Sequence, residues 1–187
     1  MRVLPVVLLV LLVAAGLGLQ QHLTRQIDLE GPHVLAAASD GGFYLATGTR
    51  LYRLDERERV EARYEAAQLG VGRFDSLLAG TQGRLWVYDS EARRVLVCDL
   101  PVPCTPFDAG QTAFSANAIL AERPAGQGLL LSDNRHHRLQ ALDAQGQVQS
   151  HPLQTGWRFP NQISAWQGDW LLADTDRRQL VKLVADA

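Results

Sequence analysis

The residues that build thiol-based sites are nearly absent from this sequence. Its 187 residues include only two cysteines, one methionine and 7% aromatic side chains. Cys98 and Cys104 are not spaced as C-x-x-C, which argues against a redox motif and a thiol-rich metal site. Because the loop between them is short, we expect a disulfide if the chain lies in an oxidising compartment; the alternative is two unrelated thiols.

A strong charge of either sign is also lacking. The formal net charge is −2, so no global field would attract nucleic acid or an acidic membrane surface, and we expect no nucleic-acid partner. No glycine-rich phosphate loop, G-x-S-x-G or H-E-x-x-H motif occurs. These absences argue against a nucleophilic enzyme.

Charged residues are missing from one long stretch near the N-terminus. From Val3 to Leu19 the side chains are uncharged and mostly apolar, and Arg2 precedes them. Residues 1–19 are therefore predicted to be a hydrophobic helix, either a transmembrane signal anchor or a cleaved signal peptide. A retained anchor is favoured because Leu17 and Leu19 keep the run apolar and the run contains no A-x-A triplet. Both interpretations place the rest outside the cytoplasm, anchored to the inner membrane or secreted to the periplasm.

Past a polar connector over residues 20–31, the pattern is that of an all-β domain. Short apolar runs of about four to eight residues are divided by Gly, Asp, Asn and Pro, with almost no sustained helical period. The runs repeat in four copies, which we place at 32–66, 71–108, 112–152 and 158–187. Thr47, Asp89, Asp133 and Asp174 mark one repeated position, with steps of 42, 44 and 41. Such a period is typical of four-stranded β-propeller blades.

The fourth copy lacks an outer strand, and the alternating segment Thr24 to Glu30 is a candidate to supply it. In that case a ring of four blades would close. The alternative is an open arc, or part of a larger propeller. The open arc is favoured because the repeats are short for the wide wedges of a four-blade ring.

Two segments carry a family resemblance. The run from Gly83 to Asp89 leads after five residues to Arg94, and Asp133 leads likewise to Arg138, each Arg opening an apolar strand. This pattern resembles the NHL repeat family, which implies a β-propeller that binds a protein or a small ligand. Each Asp and Arg could form bidentate hydrogen bonds that lock a turn.

A second resemblance is confined to the later half of the chain. The segment Arg158-Phe-Pro-Asn161-Gln-Ile163 leads into the strand that ends at Asp174. It is similar to the Pro-Asn-Gly approach of gluconolactonase-like and strictosidine-synthase-like six-bladed propellers, in which the Asn is a divalent-metal ligand. Here Gln162 stands where that family has Gly.

One phased series of polar residues predicts a site at the mouth of a central channel. His33, Asp75, Asn117 and Asn161 recur with steps of 42, 42 and 44, each at the start of a first strand. Oxygen ligands suit a hard cation such as calcium, whereas His33 would suit a softer metal. The alternative is that these residues cap turns.

Basic residues follow the second strands, at the same end of the predicted blades. We take Arg94, His136, Arg138 and Arg177 as candidate contacts for an anionic ligand. The alternative is an ordinary solvated surface.

Two functions stay open from the sequence. One is a membrane-tethered or exported binding module that recognises an unknown protein or a small anionic ligand. The other is a metal-dependent gluconolactonase-like hydrolase or lactonase, in which Asp75, Asn117 and Asn161 hold the cation and a metal-bound water attacks. The residue Gln162 and the lack of a phased Glu weaken the second.

Overall fold

The computed structural model describes residues 33–107, 118–123, 126–149 and 156–184. The chain divides into two units, Met1–Glu30 and Gly31–Ala187, and all of the described residues belong to the second. The predicted hydrophobic helix at 1–19, the connector at 20–31 with Thr24–Glu30, and Asn117 therefore lie outside the described residues. Within the described ranges, no helix combines the length and the hydropathy of a membrane span.

In the described residues, fifteen strands form four antiparallel sheets, each of consecutive strands in chain order. The first sheet contains β1 His33–Ala37, β2 Phe43–Thr47, β3 Arg50–Leu54 and β4 Val60–Glu65. The second contains β5 Ser76–Ala79, β6 Leu85–Asp89, β7 Arg94–Cys98 and β8 Thr105–Pro106. The third contains β9 Ile119–Glu122, β10 Leu129–Asp133, β11 Arg138–Leu142 and β12 Val148–Gln149. The fourth contains β13 Pro160–Trp166, β14 Asp169–Asp174 and β15 Gln179–Leu183.

The prediction of an all-β fold is confirmed. The helices in the described ranges are three short 3-10 turns, at Ala66–Leu69, Thr81–Gly83 and Asn134–His136. Each sheet lies inside one of the four repeat copies recognised in the sequence, and we call each sheet a blade.

Each blade is apolar on both faces because it packs against its neighbours. Leu51 of the first blade shares a buried cluster with Leu77 and Val87 of the second. Two further clusters join the second blade to the third and the third to the fourth. The first strands β1, β5, β9 and β13 lie beside one another in that order. A single blade could not bury both of its faces, so stacking supplies the core.

The turn after each second strand explains the five-residue spacing seen in the sequence. Asp89, Asp133 and Asp174 end their strands and are completely buried. The carboxylate of Asp89 accepts hydrogen bonds from the N–H groups of Glu91 at 3.0 Å and Ala92 at 3.1 Å. A buried carboxylate that accepts backbone N–H groups fixes a turn of set length.

Of the two predicted hydrogen-bonded pairs of Asp and Arg, one is present. Arg138 donates to Asp133, with its Nη2 at 3.3 Å from the carboxylate oxygen. Asp89 instead accepts from the backbone, including the N–H of Gly72 at 2.7 Å. Arg94 is directed to the carbonyl oxygen of Gly70, at 3.4 Å. Backbone N–H groups lie nearer to the Asp89 carboxylate than the Arg94 guanidinium does, so they donate the hydrogen bonds that Asp89 accepts.

A disulfide joins Cys98 to Cys104. Cys98 is the last residue of β7 and is completely buried in the cluster between the first two blades. Cys104 precedes β8 directly. The bond therefore closes the turn between the third and fourth strands of the second blade.

Candidate functional site

The four first strands line an open cavity of about 1000 Å³. Its walls are mainly aliphatic, from residues such as Val34, Leu78, Leu120 and Ile163. First strands run the length of the cavity, so the residues where they begin and end form its two openings. We call the opening that contains Asp75, Asn134 and Asn161 the upper mouth. The opening that contains Thr81, Glu122, Arg123 and Asp169 is the lower mouth.

Asp75 is a carboxylate held in place at the upper mouth. Its side chain is only 8% exposed. One of its oxygens accepts from the Nε of Arg73 at 2.9 Å, and the other accepts from the N–H of Ser90 at 2.9 Å. The contact to Ser90 ties the first strand to the turn after the second strand. These bonds fix the direction of a negative charge that borders the cavity.

Two asparagines at the upper mouth join the third blade to the fourth. Asn134 is buried, and its Nδ2 donates to the Oδ1 of Asn161 at 3.0 Å. Close by, the hydroxyl of Ser132 donates to the carbonyl oxygen of Pro160. Asn161 is itself exposed. The upper mouth thus presents a carboxylate and two amides beside an aliphatic interior.

Sequence reasoning missed Asn134, because it follows the repeated Asp directly and looks like an ordinary turn residue. Asn134 directly follows Asp133, the last residue of the second strand of the third blade. Asn134 reaches Asn161 from that position.

The lower mouth is organised around Glu122. Its carboxylate accepts from the N–H of Thr81 at 2.6 Å and from the hydroxyl of Thr81 at 3.1 Å. Its carbonyl oxygen accepts from the indole N–H of Trp170 at 3.1 Å. On the same side, the Nζ of Lys182 lies 2.7 Å from the Oδ2 of Asp169. At this opening, Glu122 and Asp169 are therefore both held by partner side chains.

The four phased residues do not all meet at the cavity. Asp75 and Asn161 line it, whereas the exposed His33 is not part of its lining. Asn117 lies outside the described residues.

Of the residues predicted to hold calcium, the described structure places Asp75 and Asn161 at the upper mouth. Calcium takes six to eight oxygen ligands. Both oxygens of Asp75 already accept protein hydrogen bonds, and so does the Oδ1 of Asn161. Across the described ranges, no group of three or more His, Cys, Asp or Glu side chains is placed to hold a metal ion. The calcium hypothesis, which also involves Asn117, stays a prediction.

The four basic residues predicted to contact an anionic ligand lie in or beside the hairpins, outside the cavity lining. His136 and Arg138 both contact the carboxylate of Asp133, and Arg177 lies 3.9 Å from that of Asp174. Arg94 is half-buried against the backbone of Gly70. Three of these four side chains thus contact buried carboxylates. Their role in binding a ligand stays a prediction.

The fold is similar to several solved structures. A streptogramin B lyase matches with a TM-score of 0.63 at 13% identity, over 84% of this chain and 52% of that chain. An auxiliary nutrient binding protein from Bacteroides thetaiotaomicron matches with a TM-score of 0.58 at 12% identity, over 80% and 47%. AztD from Citrobacter koseri matches with a TM-score of 0.57 at 16% identity, over 84% and 44%.

These likenesses establish the architecture. The chain spans about half the length of the three structural neighbours. Comparison with protein families finds no matching family, and comparison with curated proteins finds no matching relative. At such low identity the likeness shows the fold alone. Four stacked antiparallel sheets and β-propeller-like neighbours together show that this chain has a β-propeller-like fold.

Proposed function

We propose that the protein is a binding module that holds a small, partly apolar ligand in the cavity between its first strands. The observation that carries the proposal is the cavity itself, about 1000 Å³ with aliphatic walls and polar groups at its mouths. Small-molecule sites are typically concave, mostly apolar and provided with a few polar groups that fix orientation. The same fold serves a lyase and a nutrient binding protein. The proposal therefore rests on the cavity rather than on the likeness.

The upper mouth determines which ligands fit. Asp75 supplies fixed acceptor oxygens, and the amides of Asn134 and Asn161 supply both donors and acceptors. A ligand with an aliphatic or ring-shaped body and hydroxyl or amide groups at one end matches this arrangement. Its body would displace water from the aliphatic walls, which provides the driving force, while the polar end sets the orientation.

The NHL-like character of the blades belongs to the same proposal. It is supported by the recurring hairpin, in which a buried Asp ends the second strand and the third strand starts five residues later. In two blades that third strand starts with an arginine, Arg94 or Arg138.

The binding proposal can be tested on the full chain by a thermal-shift screen of small hydroxylated and amide-bearing compounds, followed by calorimetric titration of the hits. Asn161→Ala should weaken binding by about tenfold, because it removes one ligand contact and leaves the buried amide of Asn134 without an acceptor. Gln145→Ala is the matched control, because Gln145 lies in an exposed turn away from the cavity. Equal affinities in both variants would contradict the proposed site.

We also propose that the module works outside the cytoplasm, held at a membrane by residues 1–19 or released from it. The uncharged run from Val3 to Leu19 supports this location, and so does the bond between Cys98 and Cys104, because disulfides persist in oxidising compartments. A reporter fused to Ala187 that is active only outside the cytoplasm would support the proposal. A fully active cytoplasmic reporter would overturn it.

A further inference from the structure

One repeated position of the third strands is buried in three blades and exposed in the fourth. Four third-strand residues are equivalent by strand register, because each pairs with the penultimate residue of the second strand in its blade. They are Leu51, Val95, Leu139 and Leu180. The first three are 0%, 0% and 1% exposed, whereas Leu180 is 69% exposed. The fourth blade therefore has a free face where the other three have a neighbour.

A repeated position of the first strands shows the opposite trend. Register makes Leu35, Leu77, Leu120 and Ile163 equivalent. Leu35 is 62% exposed, whereas the other three are 8%, 4% and 3% exposed. The first blade is thus open at the position where each later blade receives the blade before it.

The two positions are partners at every internal interface. Three buried clusters each combine one third-strand residue with one first-strand residue of the next blade. These pairs are Leu51 with Leu77, Val95 with Leu120, and Leu139 with Ile163. Among the described strands, Leu180 therefore lacks a first-strand partner, and Leu35 lacks a third-strand partner. Both remain exposed, so the two do not cover each other within one chain.

The free face of the fourth blade has further apolar surface. Leu180 and Lys182 lie on one side of β15, and Val184, directly after the strand, is 53% exposed. The Nζ of Lys182 lies 5.5 Å from the ring centre of Trp166, which is 44% exposed. Exposed leucine, valine and tryptophan on one sheet face are typical of a protein contact surface.

We propose that this face docks against the first blade of a second copy of the chain, head to tail, so that Leu180 of each copy packs on Leu35 of the other. The contact would repeat the type of interface that already occurs three times inside the chain. A head-to-tail contact closes into a ring when its rotation allows. Two copies of four blades give eight, at the upper end of the range of about 4–8 for propellers. The ring would enclose the cavity, whatever ligand it holds.

Cysteine cross-linking of the full chain in mild detergent tests the contact. Leu35→Cys and Leu180→Cys are made in separately tagged chains and oxidised together. Both natural cysteines are in the disulfide, so no other thiol interferes. We expect a covalent dimer from the mixed pair and none from either variant alone. Val148→Cys is the matched control, because Val148 is 43% exposed on the outer strand β12 and should not cross-link with either.

Each other outcome counts against the proposal. Cross-linking of either variant with itself would show a head-to-head contact. In a chain with both substitutions, a bond within one monomer would show that the arc closes on itself. Absence of any cross-link together with a monomeric mass would show that no second copy binds.

A charge at the same position gives an independent measurement. Leu180→Asp should raise the dissociation constant of the dimer by at least about tenfold, because a carboxylate replaces an apolar contact at both junctions of the ring. The fold should survive, since Leu180 is exposed, and circular dichroism checks this. Val148→Asp should leave the dissociation constant unchanged. Mass photometry that finds the same dimer fraction in both variants would contradict the contact.

Discussion

The carboxylate of Glu122 accepts two hydrogen bonds from Thr81, one from the backbone N–H and one from the hydroxyl. Thr81 follows the first strand of the second blade, and Glu122 ends the first strand of the third. Since the carbonyl oxygen of Glu122 also accepts from the indole of Trp170, this one residue links three blades. The lower mouth of the cavity is thus fixed by hydrogen bonds between blades.

Glu122→Ala should lower the free energy of unfolding by about 1.5–3 kcal/mol, the range expected for hydrogen bonds to a charged group. Urea unfolding measures the change. Glu122→Gln keeps one acceptor oxygen and should cost less. The double variant with Thr81→Ala and Glu122→Ala should lose less free energy of unfolding than the sum of the two single losses, because the residues share one interaction. Additive costs would contradict the link.

His137 occupies a left-handed backbone conformation, with φ of 54°, directly before β11. Left-handed backbone costs a residue with a Cβ about 1–2 kcal/mol, whereas the flexibility of glycine costs about 0.5–1 kcal/mol. His137→Gly should therefore raise the free energy of unfolding by about 0.5 kcal/mol.

Arg135→Gly is the control for that change. Arg135 lies in the same turn but is not among the residues with positive φ, so glycine at this position should lower the free energy of unfolding of the protein. Chemical unfolding of both variants separates the two effects, and a loss of stability in both would contradict the explanation.

Acid should weaken the hairpins between the third and fourth strands of the first and third blades. The backbone N–H of Arg59 lowers the pKa of Asp55, with help from the Arg59 side chain. The backbone N–H of Gln147 likewise lowers the pKa of Asp143. A carboxyl whose pKa is lowered by folding stabilises the fold above its unfolded pKa. That contribution is lost as the pH falls through the lowered folded value.

The denaturation midpoint should therefore fall on acidification below about pH 5. Asp143→Asn should show a lower midpoint at neutral pH and a shallower fall in acid, because one of the titrating groups is gone. Urea unfolding over a series of pH values measures both. An unchanged slope would show that Asp143 does not contribute.

The bond between Cys98 and Cys104 should contribute about 2 kcal/mol to stability, the amount expected for so short a loop. Labelling of denatured, non-reduced protein should find no free thiol. After reduction, two thiols should react and the denaturation midpoint should fall. Labelling of both cysteines before reduction would contradict the bond.

The repeat positions were predictable from sequence because blade stacking imposes them. Leu51, Val95 and Leu139 must be apolar at a fixed period, since each fills an interface between blades. The spacing from Asp133 to Arg138 was equally visible, because the turn between them has a fixed length. Its contacts were only partly predictable. Asp89 accepts hydrogen bonds from backbone N–H groups, and a sequence pattern does not show which donor lies nearest.

The candidate site was harder to derive because it depends on contacts between blades. Asp75 and Asn161 were recognised from their phase, and both line the cavity. Asn134 and Glu122 were not recognised, because each acts on a partner far away in the chain. The NHL family and the predictions for residues 1–31 stay predictions.

The central claim is that the cavity between the first strands binds a small molecule. Crystallographic fragment screening of the protein tests it most directly. We predict that bound fragments cluster in the cavity, with their polar groups directed at Asp75, Asn134 or Asn161 and their apolar groups on the aliphatic walls. Fragments that bind elsewhere while the cavity holds only water would contradict the claim.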